Sequence, residues 1–341
     1  MAARHLTISR AGLVTSVGMS APAANAAIRA RLANPAETRF IDSGGEWILG
    51  HSVPLEKPYG GGTRLAKMAS MAIEECLRTV PRMSWNELPL LLCVAEQQRP
   101  GRLEGLDDHL FLQIERELEV RFAAGSGVIP QGRVGVAVAL ARARELIHER
   151  GVAHVLVAAA DSLLSWPTLS AYERSNRLLT HSNSNGFMPG EAGGALLVSH
   201  PDGDSELRLT GIGFGLERAH IDSEEPLRAD GLTEAITAAL ADSGCGLHDL
   251  DFRITDLSGE QYYFKEAALA LTRILRQRKE EFDLWHPAEC IGESGAAAGV
   301  VMLAVAETAC RKGYAPGPNI LVHLANDAGD RAAAVLRFGS R

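Results

Sequence analysis

Short, almost continuous apolar runs alternate with amphipathic stretches along this chain, and that alternation predicts a layered α/β protein. HLTISRAGLVTSVG (5–18) alternates and is β-rich, so it predicts a strand closing in a turn. SAPAANAAIRARLA (20–33) has a Ser start, a Pro in the first turn and an Ala-rich body, which predict a helix. Residues 63–80 form a second amphipathic helix pattern, and further helices are predicted near 109–122 and over 132–151. LPLLLCVAE (88–96) and VAHVLVAAAD (152–161) are continuous apolar runs, the mark of strands buried on both faces, and GEAGGALLVSH (190–200) adds a Gly-led strand. The segments 34–63, 97–108 and 162–187 are polar or rich in Pro and Gly and are predicted to be irregular.

A second set of elements follows. Strands are predicted at 207–217, 250–259, 319–327 and 332–338, with helices at 230–243 and 261–278. Between them lies CIGESGAAAGVVMLAVAETA (290–309), a turn with one acidic residue, Glu293, opening into a helix of small residues. The two sets echo each other. Residues 132–161 run from a small-residue helix through a Gly turn to an apolar strand ending in Asp161, and 294–327 repeat the order and end in Asp327. The expectation is two pseudo-repeated halves, 1–203 and 204–341, in one compact unit. Their small-residue helices would pack back to back between two sheets, where only Gly and Ala allow so close an approach.

Composition narrows the function. The chain has 341 residues, a formal net charge of −8 and no basic run, which argues against nucleic-acid binding. Its five cysteines are scattered without a CxxC pair, as suits a reducing compartment. MAARHLTISRAGLV is too interrupted for a signal peptide, and no apolar stretch approaches the ~20 residues of a membrane span. A cytoplasmic protein is expected, with no cofactor or resident metal.

Four segments then carry a resemblance. NGFMPGEAGGALLV (185–198), IGESGAAAG (291–299), VLVAAADSLLS (155–165) and GLVTSVG (12–18) resemble, in order, segments of the β-ketoacyl synthases of the thiolase superfamily. The resemblance implies a thiolase-like αβαβα layered fold. It also implies a reaction that needs a cysteine at the mouth of a buried helix as acyl acceptor and two histidines for malonyl decarboxylation and oxyanion stabilisation. Alignment of the Ala-rich helix puts Gln131 at the cysteine position, and no cysteine lies between Cys93 and Cys245. Glu293 stands at one histidine position. The other falls in RITDLSGE (253–260), where Asp256, Leu257 and Ser258 are the candidate occupants. The family's Gly-rich C-terminal loop reads LANDAGDRAAAV (324–335) here, with Asp327, Ala328, Asp330 and Arg331.

Each of these residues has two readings. Gln131 is either an amide that mimics an acylated cysteine and promotes decarboxylation, or a helix cap after Pro130. Glu293 is either a buried general base, or a structural carboxylate pairing with Arg133 or Arg331 or capping its helix. Asp256 and Ser258 are also ordinary residues for a strand-end turn. Glu191 matches a structural residue of the family. The carboxylates near Glu293 have no spacing that demands a metal. His181 and His286 read as lone loop histidines, YERSNR (172–177) as a solvated polar stretch, and QYYF (261–264) as core aromatics or a partner surface.

The resemblance further implies a homodimer, or a heterodimer with an active synthase paralogue, joined through a strand of the first half expected at 152–160. Two functions stay open. One is a degenerate, non-condensing partner or adaptor subunit. The other is an enzyme on acyl carrier protein or acyl-CoA substrates, such as a malonyl decarboxylase using Gln131, or another acyltransferase. A channel that stays open to Gln131 would favour the enzyme, and one filled by side chains or crossed by a salt bridge would favour the subunit.

Overall fold

The computed structural model describes residues 4–203 and 206–339. In chain order the elements are β1 (Leu6–Thr15), α1 (Ala21–Arg29), β2 (Ala36–Ile41), β3 (Trp47–Gly50), α2 (Gly61–Cys76), β4 (Leu90–Cys93), α3 (His109–Leu118), β5 (Gly127–Ile129), α4 (Gly135–Arg150), β6 (His154–Ser162), α5 (Trp166–Arg174) and β7 (Glu191–Ser199). They continue with β8 (Leu207–Leu216), α6 (Asp230–Ser243), β9 (Phe252–Thr255), α7 (Gln261–Ile274), β10 (Asp283–Trp285), α8 (Ala288–Ile291), α9 (Ala298–Arg311), β11 (Asn319–Ala325) and β12 (Asp330–Phe338). Residues 1–3, at the start of the leader reading, and 204–205, at the expected boundary between the halves, lie outside the described residues.

The strands run β10-β9-β11-β12-β8-β1-β7-β6-β4-β5. This order is two leaflets with one plan. In β5-β4-β6-β7-β1 the first pairings are parallel and the last two antiparallel. In β10-β9-β11-β12-β8 the same sequence recurs. Among the described residues, the strands of the two leaflets pair with each other through Leu6–Ile8 of β1 against Leu207–Leu209 of β8. β6 shows why its sequence is continuously apolar: Val155 to Ala160 are buried on both faces.

Between the leaflets lie α4 and α9, and one core cluster draws residues from both helices and both leaflets. Helices α2 and α3 cover the outer face of the first leaflet, and α6 and α7 that of the second. The layers are therefore αβαβα. The small residues of α9 have the expected use, since a Cβ on Gly299 would lie 2.7 Å from the Cβ of Val136 in α4. Each central helix is preceded by a tight turn, Gly132–Val134 and Gly295–Ala297, and each turn opens on a glycine at positive φ, +52° and +56°.

Three expectations are corrected. The Pro- and Gly-rich segment 34–63 holds the hairpin β2–β3, whose short alternating strands carry the exposed apolar residues Ile41, Trp47 and Leu49. The segment 162–187 contains α5, started by Ser165, whose hydroxyl accepts from the Thr168 N–H. The strand expected to meet a partner is internal: β6 pairs with β4 on one side and β7 on the other, so the free edge of that leaflet is β5.

Candidate functional site

The strand ends β6, β9 and β11 and the turns before α4 and α9 converge at one point between the leaflets, and a buried ionic network occupies it. Arg133, in the turn that opens α4, is its centre. Its guanidinium donates to Glu293 at 3.1 Å, to Asp327 at 2.6 Å and to the Tyr263 hydroxyl at 2.8 Å, and Asp256 lies 3.9 Å away. The Tyr263 ring packs beneath it, 4.7 Å from centroid to guanidinium carbon. Arg177 grips Glu260 with two parallel bonds of 2.8 Å and donates to Asp327 at 2.7 Å. Asp327 also accepts from the hydroxyls of Tyr172 and Tyr263. Arg99 pairs with Glu96 and with Asp161, whose carboxylate in turn accepts the Ala296 N–H at the mouth of α9.

Glu293 is 5% exposed, which answers why a carboxylate sits at the start of α9. One oxygen accepts the Gly295 N–H at 2.9 Å, and the other accepts from Ser258 at 2.9 Å and from Arg133. It therefore caps the helix and anchors an arginine together. Of the two arginine partners expected for it, Arg133 takes the place; Arg331 is turned away and buried against Glu266 at 2.8 Å.

The four candidate residues do not converge as a set. Glu293, Asp256 and Ser258 share the cluster. Gln131 has an exposed side chain, and only its backbone carbonyl is held, by the Asn326 side chain at 2.7 Å. The side chain that enters the cluster from this turn belongs to Arg133, two residues further on. The turn reverses over Gly132, so Gln131 and Arg133 face opposite ways. Gln131 does stand at the N-cap of the turn that opens α4, as one reading expected, although its side chain makes no cap bond, and an amide mimic in a buried site does not match its exposure.

YERSNR is also corrected. Tyr172 and Arg177, at its two ends, are buried parts of the network. No local pattern marks Arg177 as buried. The signal lay elsewhere, in the crowded acids Glu260, Glu293 and Asp327, which cannot share a buried site without cations. In QYYF, Tyr263 does pack in the core, and its hydroxyl is also wired to Asp327.

The electrostatics follow from burial and pairing. Burial alone would raise the Asp327 carboxyl, but Arg133 and Arg177 outweigh it and hold the group well below the usual carboxylate range. Asp256 goes the other way: burial dominates, Arg133 only partly offsets it, and the carboxyl is pushed up to about 6. The folded state thus binds this proton more tightly than the unfolded chain, whose value is near ~3.9. Stability from Asp256 is full below about 4 and is lost as pH rises through about 6, by roughly 2–3 kcal/mol. Asp256→Asn keeps an acceptor for the Ala325 N–H, which Asp256 now receives at 2.9 Å, and has no proton to lose. Urea unfolding at pH 4 and pH 7 should show the variant gaining about that much on the native chain across the interval; parallel pH curves would refute the assignment.

The space left among Glu96, Arg99, Arg133, Arg177, Glu260 and Asp327 is about 10 Å³, the lower limit for a single water. The space is filled by these side chains and crossed by their salt bridges. No cysteine lines it. Cys93 is buried under the start of α4, and burial pushes its thiol far up. Among the described residues, no group of three His, Cys, Asp or Glu side chains is arranged to hold a metal ion, and no helix is long and apolar enough to cross a membrane.

Two leaflets of one plan around a central helix pair define the thiolase-like fold, and comparison with known proteins agrees. No family model matches the chain. Among curated proteins, it is 27% identical over 215 residues to a Streptomyces cyaneus protein named polyketide beta-ketoacyl synthase 2, covering 58% of this chain and 51% of that one. It is 31% identical over 202 residues to a Streptomyces halstedii protein of the same name, covering 54% and 48%. The match thus spans about half the length of these relatives. Among solved structures, the ishigamide ketosynthase/chain length factor superposes with a TM-score of 0.79 at 17% identity over 100% of both chains. A ketosynthase in complex with its chain length factor from Xenorhabdus doucetiae gives 0.77 at 14% identity over 98% of both. The chain is β-ketoacyl synthase-like and has the thiolase-like fold.

Proposed function

We propose that the chain is a non-condensing, ketosynthase-like subunit that works beside a synthase partner, in the manner of a chain length factor. One observation carries this: Arg133 and its acidic partners crowd the point where the strand ends and the turns before α4 and α9 converge, and the about 10 Å³ that remains is too little for an acyl chain and a thioester. The solved neighbours named as ketosynthase and chain length factor support the partner role. In this reading Glu293, Asp256 and Ser258 hold Arg133 in place, and Gln131 has no chemical task. The edge strand β5, Gly127–Ile129, is where a partner's strand would add, as a heterodimer with a synthase paralogue or as a homodimer. Acyl carrier protein is the further partner, met through the assembled pair, in the cytoplasm.

Incubation with malonyl-CoA and with malonyl-loaded carrier protein, followed by intact mass spectrometry of protein and carrier, tests this. The expected result is no acyl adduct on the chain and no loss of carbon dioxide from either malonyl group. Malonyl turned to acetyl by the wild-type chain, and not by Gln131→Ala, would overturn the proposal in favour of a decarboxylase.

A further inference from the structure

At the end of the second leaflet, among strand ends different from those that form the ionic network, the outer face opens into a cavity of about 640 Å³, within the size range of small-molecule sites. Two arginines, Arg208 of β8 and Arg337 of β12, line it as direct cross-strand partners. Like charges directly opposite one another on a sheet are destabilising, so a pair of this kind needs a reason. Among the described residues, neither guanidinium is paired with a carboxylate. Arg208 donates to the carbonyl of Gly203, and its Nε is buried without a partner. The Arg337 side chain is exposed to the cavity and makes no hydrogen bond or ion pair among the described residues. Glu206, close by in sequence, accepts from the Thr7 hydroxyl at 2.9 Å rather than from either arginine. Asp249, the one acidic residue of the lining among the described residues, faces His248 and the Gly246 N–H.

Three histidines complete the lining. His148 and His200 meet edge to face at 4.3 Å, and His148 is held through Nε2 on the carbonyl of His5. In a chain of net charge −8, two guanidiniums without a carboxylate among the described residues and the imidazoles of His148 and His200 around one cavity form a local concentration of donors for an anion. The open fork of Arg337 suits the several oxygens of a phosphate, which it can hold in bidentate fashion, and Arg208 can add its remaining terminal nitrogen. Pro201 and Cys245, both half-buried, supply apolar wall beside them, which an inorganic ion would leave unused.

We infer that this cavity is a binding site for a small phosphomonoester, its phosphate held by Arg337 with Arg208 beside it and its organic part laid against Pro201 and Cys245. The site is independent of the ionic network, so its test does not depend on the subunit reading.

Calorimetric titration of the whole chain with phenyl phosphate, against sulfate at matched ionic strength, tests it. The expected result is one saturable site of sub-millimolar Kd, with sulfate at least tenfold weaker. Arg337→Gln and Arg208→Gln should each weaken phenyl phosphate at least tenfold. Arg337 is exposed, so its variant should fold; without ligand its Tm should equal or exceed that of the native chain, because the like-charge pair is gone. No saturable heat up to 10-fold above the millimolar range, binding no tighter than sulfate, or binding unchanged in both variants would each overturn the inference.

Discussion

Arg133→Met should lower the unfolding free energy by about 3–5 kcal/mol, the usual cost of stripping one partner from a buried ionic group. Methionine fills much of the volume, so the loss is electrostatic rather than a cavity effect. The substitution would leave Glu293 with only Ser258 and the Gly295 N–H, and Asp256 with only the Ala325 N–H. Asp327 would keep Arg177 and is the least affected. The stranded carboxylates should then bind protons, and the deficit should shrink as pH is lowered toward 4. A second substitution isolates the cause. In Arg133→Met with Glu293→Gln, the worst-stranded charge is gone, and more than half of the lost stability should return. Arg133→Lys should fall in between, since an ammonium cannot reach Glu293, Asp327 and the Tyr263 hydroxyl with one planar fork. Urea unfolding of the native chain, Arg133→Met, Glu293→Gln and the double variant closes a double-mutant cycle, with Arg133→Lys measured beside it. A single-variant loss below about 1 kcal/mol, or strictly additive changes, would show that the network is not what holds the leaflets together here.

That network also marks where the sequence stops being informative. The order of strands and helices could be read from period and apolar runs, because β4, β6 and α9 are buried all round and their composition has no other use. The positions of Glu293, Asp256 and Ser258 were reached through the resemblance of IGESGAAAG and RITDLSGE to family segments, not from the residues alone. Which side chain enters from the turn before α4 was not legible. Gly132 at positive φ turns the chain so that Gln131 and Arg133 part company, and no periodicity reports such a reversal. Arg177 was hidden for a related reason. It follows Ser175 and Asn176 in a polar run, and Asn176 itself stands at positive φ, so the run doubles back and drives its last residue inward. The hairpin β2–β3 was missed because isolated short strands with exposed faces lack the apolar runs that identified the others. The internal position of β6 was a matter of topology: an apolar strand can be an edge awaiting a partner or a centre already flanked, and composition is the same for both.

Gly213→Ala should cost about 3 kcal/mol or more, at the top of the range for overpacking, although it adds a single methyl group. GIGFG (211–215) reads as an ordinary strand, but its glycines alternate, so all three point to one face of β8. That face carries α6. A Cβ on Gly211, Gly213 or Gly215 would sit 2.1 Å from the carbonyl oxygen of Ala239, Ala235 or Gly231, each in the backbone of α6. These obstacles are main-chain atoms, which cannot swing aside as the end of a side chain would. The helix must lift off the strand along its length, and Leu232, Ile236 and Leu240, buried beneath it, lose their packing. Gly211→Ala with Gly213→Ala should leave no folded second leaflet. Gly127→Ala is the control, also in a strand and with nothing within 4 Å of the added carbon, and it should change stability by no more than ~0.5 kcal/mol. Thermal and urea unfolding compare the three variants directly. If Gly213→Ala matched Gly127→Ala, α6 would have to ride higher on β8 than the contact distances allow, and the close seating of helix on strand in the second half would be wrong.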